Sequence, residues 1–247
     1  AFPMTVNRDE VLAEILRMVK ALHAEGLLPD EIVDARVVED EDWVGKWRRS
    51  LGPIRAGERF VIVPPGVAAE TSELDIVLAI EPRMAFGTGD HATTRLALAG
   101  MERLPLKKAR VIDLGCGNGI LTVAAALSGA AEVESVDFEE ESVIETVENA
   151  ERHGVAERVH VHAADVLEWT PSAPPYDILL ANIYLPPILS GIVRWCGWLH
   201  KGSHAVFTGV RAGDEERELL AVLDSANLRV LHSEHLDTWF CVVCEVV

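Results

Sequence analysis

From residue 110 to the end of the chain, short runs rich in β-branched residues alternate with longer amphipathic segments. The short runs predict strands at RVIDLG, EVESVDF, RVHVHAAD, YDILLANI, SHAVFTGV, RVLHSEHL and TWFCVVCEVV. The amphipathic segments predict helices at GILTVAAALSGA, EESVIETVENAERHG, PPILSGIVRWCGWL and GDEERELLAVLDSAN. Strands that alternate with helices form a parallel, doubly wound sheet with right-handed crossovers. The last two strands are joined by a short polar turn and should add an antiparallel hairpin at one edge.

Before residue 80 the order of elements is different. The segment RDEVLAEILRMVKALHAEG has apolar residues at helical spacing and predicts a helix. We interpret EIVDARVVED as a strand, DEDWVGKWRRSL as a short helix with Trp43 and Trp47 on one face, and RFVIVPPG and LDIVLAIEP as two further strands. The sequence therefore predicts a small α/β lobe with a linker helix over residues 1–50 and a larger α/β domain over residues 51–247.

The composition is that of a globular and strongly acidic protein. Hydrophobic residues make up 49% of the chain, and 40 Asp and Glu against 22 Lys and Arg give a formal net charge of −18. This charge repels nucleic acid and anionic membranes and favours a basic partner, although acidity that serves only solubility is the alternative. The chain has no apolar run long enough to span a membrane and no signal-peptide pattern. We expect a cytoplasmic monomer without membrane or direct nucleic-acid contact.

The four cysteines are too few and too scattered for a disulfide framework. Cys241 and Cys244 have CxxC spacing, but they lie in an apolar run that predicts a buried strand, and no second pair completes a zinc site. The nine histidines show no metal-binding spacing. We therefore predict core packing for this cysteine pair and no metal site.

A glycine-rich loop follows the first strand of the alternating region. The motif VIDLGCGNG at residues 111–119 brings Gly115 and Gly117 to the end of this strand, where backbone can closely approach a nucleotide-like ligand. Ile120 stands where the dinucleotide fingerprint requires glycine, and the lysine of the Walker A motif is missing. Asp113, two residues before the first glycine, can hold an amine. The loop therefore favours S-adenosylmethionine, which has an amino-acid moiety and no phosphate.

Polar side chains stand at the ends of the next strands. Asp137 can accept both ribose hydroxyls of a nucleoside, and Asp165 is expected beside the adenine. Asn182 ends the fourth strand, where its carbonyl oxygen can accept a substrate N–H, and Tyr184 can wall the path of the methyl group. Each acidic strand end alone is also common for structural reasons, and Asn182 would serve equally well as a turn former. Their combination with the glycine loop favours a cofactor site beside a reacting centre.

The segment AFGTGDHATTRLAL at residues 85–98 joins a glycine-interrupted loop to the start of an apolar helical pattern. Gly89 lets the backbone turn and approach a ligand, and we expect Asp90, Thr93 or Thr94 to cap the helix that follows. An ordinary capped helix start is the alternative to a ligand-binding loop. These residues alone leave both interpretations open.

The segments EPRMAFGTGDHATTRLAL, VIDLGCGNG, VDF and LLANIY, with DEDWVGKWRRSL upstream, closely resemble the PrmA family of methyltransferases, which act on the eleventh large-subunit ribosomal protein. The resemblance covers roughly residues 40–247, and FGTGxHxTT is its most specific part. It implies a Rossmann-like seven-stranded S-adenosylmethionine methyltransferase fold with a small N-terminal lobe. It also implies a cofactor site that is lined by Phe86, Thr88, Gly89, Thr94, Gly115, Asp137 and Asn182. The family's substrate nitrogens are lysine side chains and an N-terminal amine.

One departure from the family concerns the segment before DEDWVGKWRRSL. The roughly 40 residues there are fewer than the family's ferredoxin-like substrate-binding domain uses, so the resemblance supports the cofactor better than the substrate. The enzymatic alternatives are a lysine of another protein, such as an electron-transfer flavoprotein, or a small amine. The non-enzymatic alternative is a cofactor-binding assembly factor, which the intact set of site residues disfavours.

Overall fold

The structure is a computed structural model that describes residues 8–24, 52–81 and 89–247. The chain divides into two units, Ala1–Lys46 and Trp47–Val247. The described part of the first unit is helix α1 (Arg8–Ala24), which confirms the helix predicted there. The strand predicted at EIVDARVVED and the helix predicted around Trp43 and Trp47 lie outside the described residues.

A three-stranded sheet begins the described part of the second unit. Its strands β1 to β3 are, in spatial order, Ile54–Ala56, Phe60–Val63 and Ile76–Ala79. β1 is antiparallel to β2, and β2 is parallel to β3. The strands predicted at RFVIVPPG and LDIVLAIEP are confirmed as β2 and β3, whereas β1 is too short for the pattern to predict. Glu102 holds the turn between β1 and β2, because it accepts the backbone N–H groups of Glu58 at 2.8 Å and Arg59 at 2.6 Å.

The main sheet has seven strands, namely β4 Arg110–Leu114, β5 Glu132–Asp137, β6 Val159–Ala163, β7 Tyr176–Asn182, β8 Leu199–Arg211, β9 Leu228–Leu236 and β10 Trp239–Val246. Their spatial order is β6-β5-β4-β7-β8-β10-β9. Neighbours from β6 to β8 are parallel, whereas β10 is antiparallel to both β8 and β9. This arrangement confirms the predicted Rossmann-like fold and its antiparallel hairpin, with β9 at the edge.

The described helices of the second unit are α2 Ala92–Met101, α3 Ile120–Leu127, α4 Glu140–Arg152, α5 Leu185–Cys196 and α6 Asp214–Leu223. Helices α2, α3 and α4 contribute to one hydrophobic core, and α5 and α6 contribute to the other. Val111 and Ile112 enter different cores, because successive side chains of a strand point to opposite faces. Cys241 and Cys244 are likewise buried one in each core, which confirms the predicted core packing. Among the described residues, no helix has the length and apolar character of a membrane span.

The turn after β7 packs very closely against two neighbouring strands. A Cβ atom added at Gly209 in β8 would lie 2.2 Å from the carbonyl oxygen of Ile183, the residue that follows β7. A Cβ atom added at Gly115, directly after β4, would lie 2.2 Å from Cγ2 of Ile183. Both glycines also have positive φ angles, 87° at Gly209 and 74° at Gly115. Only residues without a side chain therefore allow the ends of β4, β7 and β8 to converge in this way.

Replacing Gly209 with alanine should destabilise the fold by roughly 3 kcal/mol, since it combines left-handed backbone strain with a methyl group against the Ile183 backbone. Gly202→Ala is the matched control, because Gly202 also lies in β8 with a positive φ of 84° and has open space around an added Cβ. We expect the control to lose only about 1 kcal/mol. Chemical denaturation measures both losses. Equal losses would show that backbone conformation, and not the contact with Ile183, requires glycine at position 209.

Candidate functional site

The glycine loop leaves β4 at the carboxyl edge of the sheet. Gly115, Gly117 and Gly119 have φ angles of 74°, 54° and 78°, a left-handed conformation that glycine adopts without strain. The backbone N–H of Gly115 donates to the carbonyl oxygen of Val136 in β5 at 2.8 Å. Gly119 caps α3, and a Cβ atom there would lie 2.7 Å from Cγ2 of Thr146 in α4. The loop is therefore closed against both β5 and α4.

Two buried polar side chains of α4 fix the shape of this loop. The hydroxyl of Thr146 donates to the carbonyl oxygen of Gly117 at 2.9 Å, and Nδ2 of Asn149 donates to that of Asn118 at 2.8 Å. Our sequence reasoning missed both residues. The signal that could have found them is their spacing, because two polar residues three positions apart occupy the buried face of an amphipathic helix.

Asp137 lies at the end of β5 and bonds to backbone on both of its oxygens. Oδ2 accepts the N–H of Gly117 at 2.8 Å, and Oδ1 accepts the N–H of Glu139 at 3.0 Å. Each carboxylate oxygen has a second lone pair that can accept another hydrogen bond. The next residue, Phe138, is 75% exposed, so an aromatic side chain stands at the surface directly after this strand end. Sequence reasoning also missed Phe138, although its position after an acidic strand end is a readable signal.

Asp113 is buried below the glycine loop, near the end of β4, with 1% of its surface exposed. Its Oδ2 accepts the hydroxyl of Thr122 at 2.7 Å, while Oδ1 has no hydrogen-bond partner within the described ranges. Burial raises the pKa of this carboxyl to about 7, because a charged carboxylate is disfavoured away from water. A positive ligand group nearby would stabilise its ionised form.

Asn182 and Thr94 each carry a buried oxygen with no hydrogen-bond partner among the residues described. Asn182 ends β7, and Thr94 lies in the first turn of α2, which packs against β7 and β8. Buried polar atoms in folded proteins normally have a partner, so both oxygens are candidates for contact with a ligand. Tyr184, in contrast, is 75% exposed and directly precedes α5.

His91, and not Asp90, Thr93 or Thr94, caps α2. Its Nδ1 accepts the backbone N–H of Thr93 at 3.4 Å and lies 2.8 Å from the Thr93 hydroxyl. The expected cap is wrong because the helix begins at Ala92, which places both threonines inside its first turn. The imidazole ring of His91 also packs edge-on against Trp239, with a centroid separation of 5.0 Å. These contacts hold the start of α2 in place.

The remaining residues of the predicted FGTG segment are only partly described. Phe86 and Thr88 lie outside the described residues. Gly89 has a φ of 90°, and a Cβ atom there would lie 2.7 Å from Cγ2 of Ile62 in β2. The backbone at Gly89 therefore passes directly against the three-stranded sheet.

Asp165 follows β6 at the same carboxyl edge as the glycine loop. Its Oδ1 accepts the N–H of Leu167 at 2.8 Å, which forms a tight turn. Arg194 of α5 fastens the segment after this turn, since its guanidinium donates to the carbonyl of Glu168 at 3.0 Å, the carbonyl of Trp169 at 2.7 Å and the hydroxyl of Thr170 at 2.6 Å. Sequence reasoning missed Arg194, because nothing near it in the chain indicates this contact.

The family model described as Ribosomal protein L11 methyltransferase (PrmA) matches residues 3–246. A ribosomal protein L11 methyltransferase of Pelotomaculum thermopropionicum is 34% identical over 220 residues, which cover 88% of this chain and 70% of that protein. Its counterpart from Symbiobacterium thermophilum is 36% identical over 208 residues, which cover 84% of this chain and 67% of that protein. The crystal structure of a ribosomal protein L11 methylase from Lactobacillus delbrueckii subsp. bulgaricus has a TM-score of 0.72 at 24% identity and covers 79% of this chain and 99% of that chain.

The family match extends over nearly the whole sequence, including the N-terminal segment that departs from the expected pattern. The sheet order, with an antiparallel β10 and a glycine loop after β4, agrees with it independently. The chain belongs to the ribosomal protein L11 methyltransferase (PrmA) family and is an S-adenosylmethionine-dependent methyltransferase.

Proposed function

We propose that this enzyme transfers methyl groups from S-adenosylmethionine to amino groups of ribosomal protein L11, at lysine side chains, the N-terminal amine or both. The relatives that are 34% and 36% identical carry the name of this substrate. The observation that carries the proposal is the buried oxygen of Asn182, which has no hydrogen-bond partner among the described residues and lies at the same sheet edge as the glycine loop. It provides an acceptor for an amine where a methyl donor would be bound.

We infer that the strand ends and the glycine loop hold the cofactor. Gly115 and Gly117 let the backbone lie against it, and Asp137 accepts the ribose hydroxyls through its remaining lone pairs. Asp113 and Thr94 each have a buried oxygen without a partner in the described ranges, and these oxygens fit a ligand that carries an ammonium group and other hydrogen-bond donors. The donor set of these residues therefore matches S-adenosylmethionine.

We place the adenine ring of the cofactor at the carboxyl edge of the main sheet, next to the ends of β5 and β6. Asp165 is fixed there by its own turn and by the anchoring of the next segment to Arg194. Phe138 adds an exposed aromatic ring that can stack on a base. By family resemblance, Phe86, Thr88 and Gly89 close the site from the FGTG segment.

The chain contributes alignment to the reaction. Bound S-adenosylmethionine supplies a methyl group on a positively charged sulfur. Methyl transfer requires the attacking lone pair, the methyl carbon and the sulfur to lie in line, so orientation accounts for much of the acceleration. Oδ1 of Asn182 accepts an N–H of the amine and fixes its direction, and Tyr184 walls the path of the methyl group.

Proton loss from the amine precedes the transfer. A lysine amine has an ordinary pKa near 10.4, and only its neutral form has a lone pair for attack. By family resemblance Phe86 would lie near the amine together with Tyr184, and apolar surroundings of this kind lower the pKa of the amine so that its proton is released to water. His91 is engaged as the cap of α2 and rests on Trp239, which supports a role in holding the loop and not in removing the proton.

The charge around the carboxyl edge supports a basic protein as substrate. Three exposed glutamates, residues 139–141, follow β5, and α6 begins after β8 with three acidic residues at positions 214–216. Residues 107, 108 and 201, the lysines of the described second unit, lie at the opposite edge, before β4 and near the start of β8. A basic protein is therefore attracted to the edge where the methyl group is transferred.

We assign substrate recognition to the N-terminal lobe, residues 1–50, and cofactor binding and transfer to residues 51–247. All residues proposed for the cofactor lie after position 85, and the lobe before Trp43 contains no acid, base or nucleophile constellation. On this proposal the enzyme acts in the cytoplasm as a monomer, without direct contact to nucleic acid.

Incubation of the enzyme with labelled S-adenosylmethionine and the separated ribosomal proteins tests the substrate. We expect label in L11 alone, at lysine or N-terminal amines mapped by mass spectrometry, because the family match and the acidic edge both favour it. Asp137→Ala is the matched control, since it should lose cofactor binding and all transfer. Label in another protein or only in small amines would move the substrate to one of the alternatives. Cofactor binding without any transfer would favour an assembly factor.

Asn182→Ala should lower the transfer rate by roughly tenfold or more, since the amine loses its alignment, while His91→Ala should cost much less. The rate should rise toward a pH of about 9 in both the parent and the His91 variant, because the neutral amine becomes more abundant. Single-turnover rates across pH measure this. A rise near pH 6.5, the ordinary pKa of histidine, that disappears with His91 would identify that side chain as the base and contradict the mechanism.

Asp113→Asn should change the stability of the protein and its affinity for the cofactor in opposite directions. The raised pKa of Asp113, about 7 against an ordinary 3.8, means that its stabilising contribution is complete below pH 3.8 and is lost as the pH rises through about 7. Near pH 8 the neutral amide should therefore raise the free energy of unfolding of the cofactor-free protein by roughly 1–3 kcal/mol.

The same variant should weaken S-adenosylmethionine binding by roughly tenfold, because the cofactor's ammonium group loses a charged partner. Denaturation at acidic and alkaline pH and calorimetric titration measure the two effects. Unchanged affinity for the cofactor would remove Asp113 from the site.

A further inference from the structure

A recess of about 230 Å³ lies at the amino edge of the main sheet, opposite the glycine loop. Its walls are the loop before β4 and the first parts of β7 and β8. Its charged and titratable lining consists of Lys107, Lys108, Asp177, His200 and His204. None of these residues takes part in the proposed methyl transfer, so the recess is a separate feature of the enzyme.

His200 has an acceptor oxygen beside each of its ring nitrogens, an arrangement that favours its protonated form. Its Nδ1 lies 2.9 Å from the carbonyl oxygen of Lys201, and its Nε2 lies 2.9 Å from Oδ1 of Asp177. Carbonyl and carboxylate oxygens only accept hydrogen bonds, so both ring nitrogens must carry a proton to satisfy this arrangement. The hydrogen bond to Asp177 accordingly raises the pKa of His200.

Both carboxylate oxygens of Asp177 already have hydrogen-bond partners, because Oδ1 lies beside His200 and Oδ2 accepts a backbone N–H. This N–H belongs to Arg110, and Oδ2 accepts it at 2.7 Å. Lys107 and Lys108 form no salt bridge with any residue in the described ranges, and each is exposed at the rim. Within the described part of the chain, the recess therefore presents two lysine charges without a salt-bridge partner beside the hydrogen-bonded His200–Asp177 pair.

The choice of lysine here is unusual for this chain. The sequence has five lysines against 17 arginines, yet Lys107, Lys108 and Lys201 all lie at this one edge. Lys108 also has a φ of 65°, a left-handed conformation that is unfavourable for a residue with a side chain. Its backbone N–H donates to the carbonyl of Gly129 at 2.7 Å, which fixes the loop that carries both lysines. Lysine is a compact point charge that binds phosphate well.

We propose that this recess binds a small phosphate-bearing anion between Lys107, Lys108 and His204. The positive charge is local and belongs to a chain with a formal net charge of −18, which disfavours a long polyanion such as RNA. The volume of about 230 Å³ suits one phosphate group with a small substituent. The site is independent of the proposed methyl transfer, because it lies at the other end of the strands.

Titration of the enzyme with inorganic phosphate tests the proposal, at ionic strength held constant with chloride. Two-dimensional NMR follows the backbone amides of Lys108, Ala109, Gly129 and Gly202. We expect saturable shifts confined to this edge, and roughly tenfold weaker binding in the Lys107→Gln/Lys108→Gln double variant. Lys20→Gln in α1, which removes the same kind of charge from an exposed position, should bind phosphate as the parent does. Cofactor affinity should stay unchanged in both variants.

Adenosine monophosphate and a short oligoribonucleotide identify the source of the phosphate. Binding of the mononucleotide with the same residue dependence supports the proposal. Binding of the oligoribonucleotide alone would overturn the assignment to a small anion. Shifts that do not saturate, or that are equal in the double variant and the parent, would overturn the site itself.

Discussion

The close packing of Ile183 between Gly115 and Gly209 is the constraint on which the arrangement of the site depends. The turn after β7 is trapped between the loop after β4 and the backbone of β8, with no space for a side chain at either glycine. Asn182 and Tyr184 flank Ile183, so their distance from the glycine loop follows directly from this contact. In the proposed mechanism, this packing contact fixes the position of the residues that align the amine, because they stand at the ends of closely packed strands.

The polar groups around this contact divide into two classes. Thr146, Asn149 and Asp137 satisfy backbone groups of the glycine loop and its surroundings, which stabilises the loop. Asp113 and Asn182 instead keep a buried oxygen without a partner among the residues described. Unpaired buried oxygens reduce stability, and proteins retain such groups chiefly where a ligand uses them. The same edge of the sheet therefore combines a glycine loop that is held by several hydrogen bonds with side chains whose oxygens are available to a ligand.

The parallel sheet, the β9–β10 hairpin and the glycine loop could be predicted because each depends on local spacing. The cap of α2 could not, since His91 takes this role only where the ring also packs against Trp239, far along the chain. The roles of Gly209 and Arg194 could not be predicted for the same reason. Gly209 packs against the turn after β7, and Arg194 anchors the segment after β6, and both contacts join distant parts of the chain. Sequence patterns identified the residues that are proposed to touch the cofactor more readily than those that position them.

Charge separation across the sheet explains how one acidic protein can offer two different surfaces. The carboxyl edge carries consecutive acidic residues after β5 and β8, whereas the lysines of the described second unit lie at the amino edge. The seven residues of β7 extend over roughly 23 Å, since a strand rises about 3.3 Å per residue. At physiological ionic strength charges are screened over about 8 Å, so the potential at one edge is only weakly affected by the other. The residues at the strand ends therefore decide which small or local charges each edge attracts, while the overall negative charge still acts on an extended polyanion.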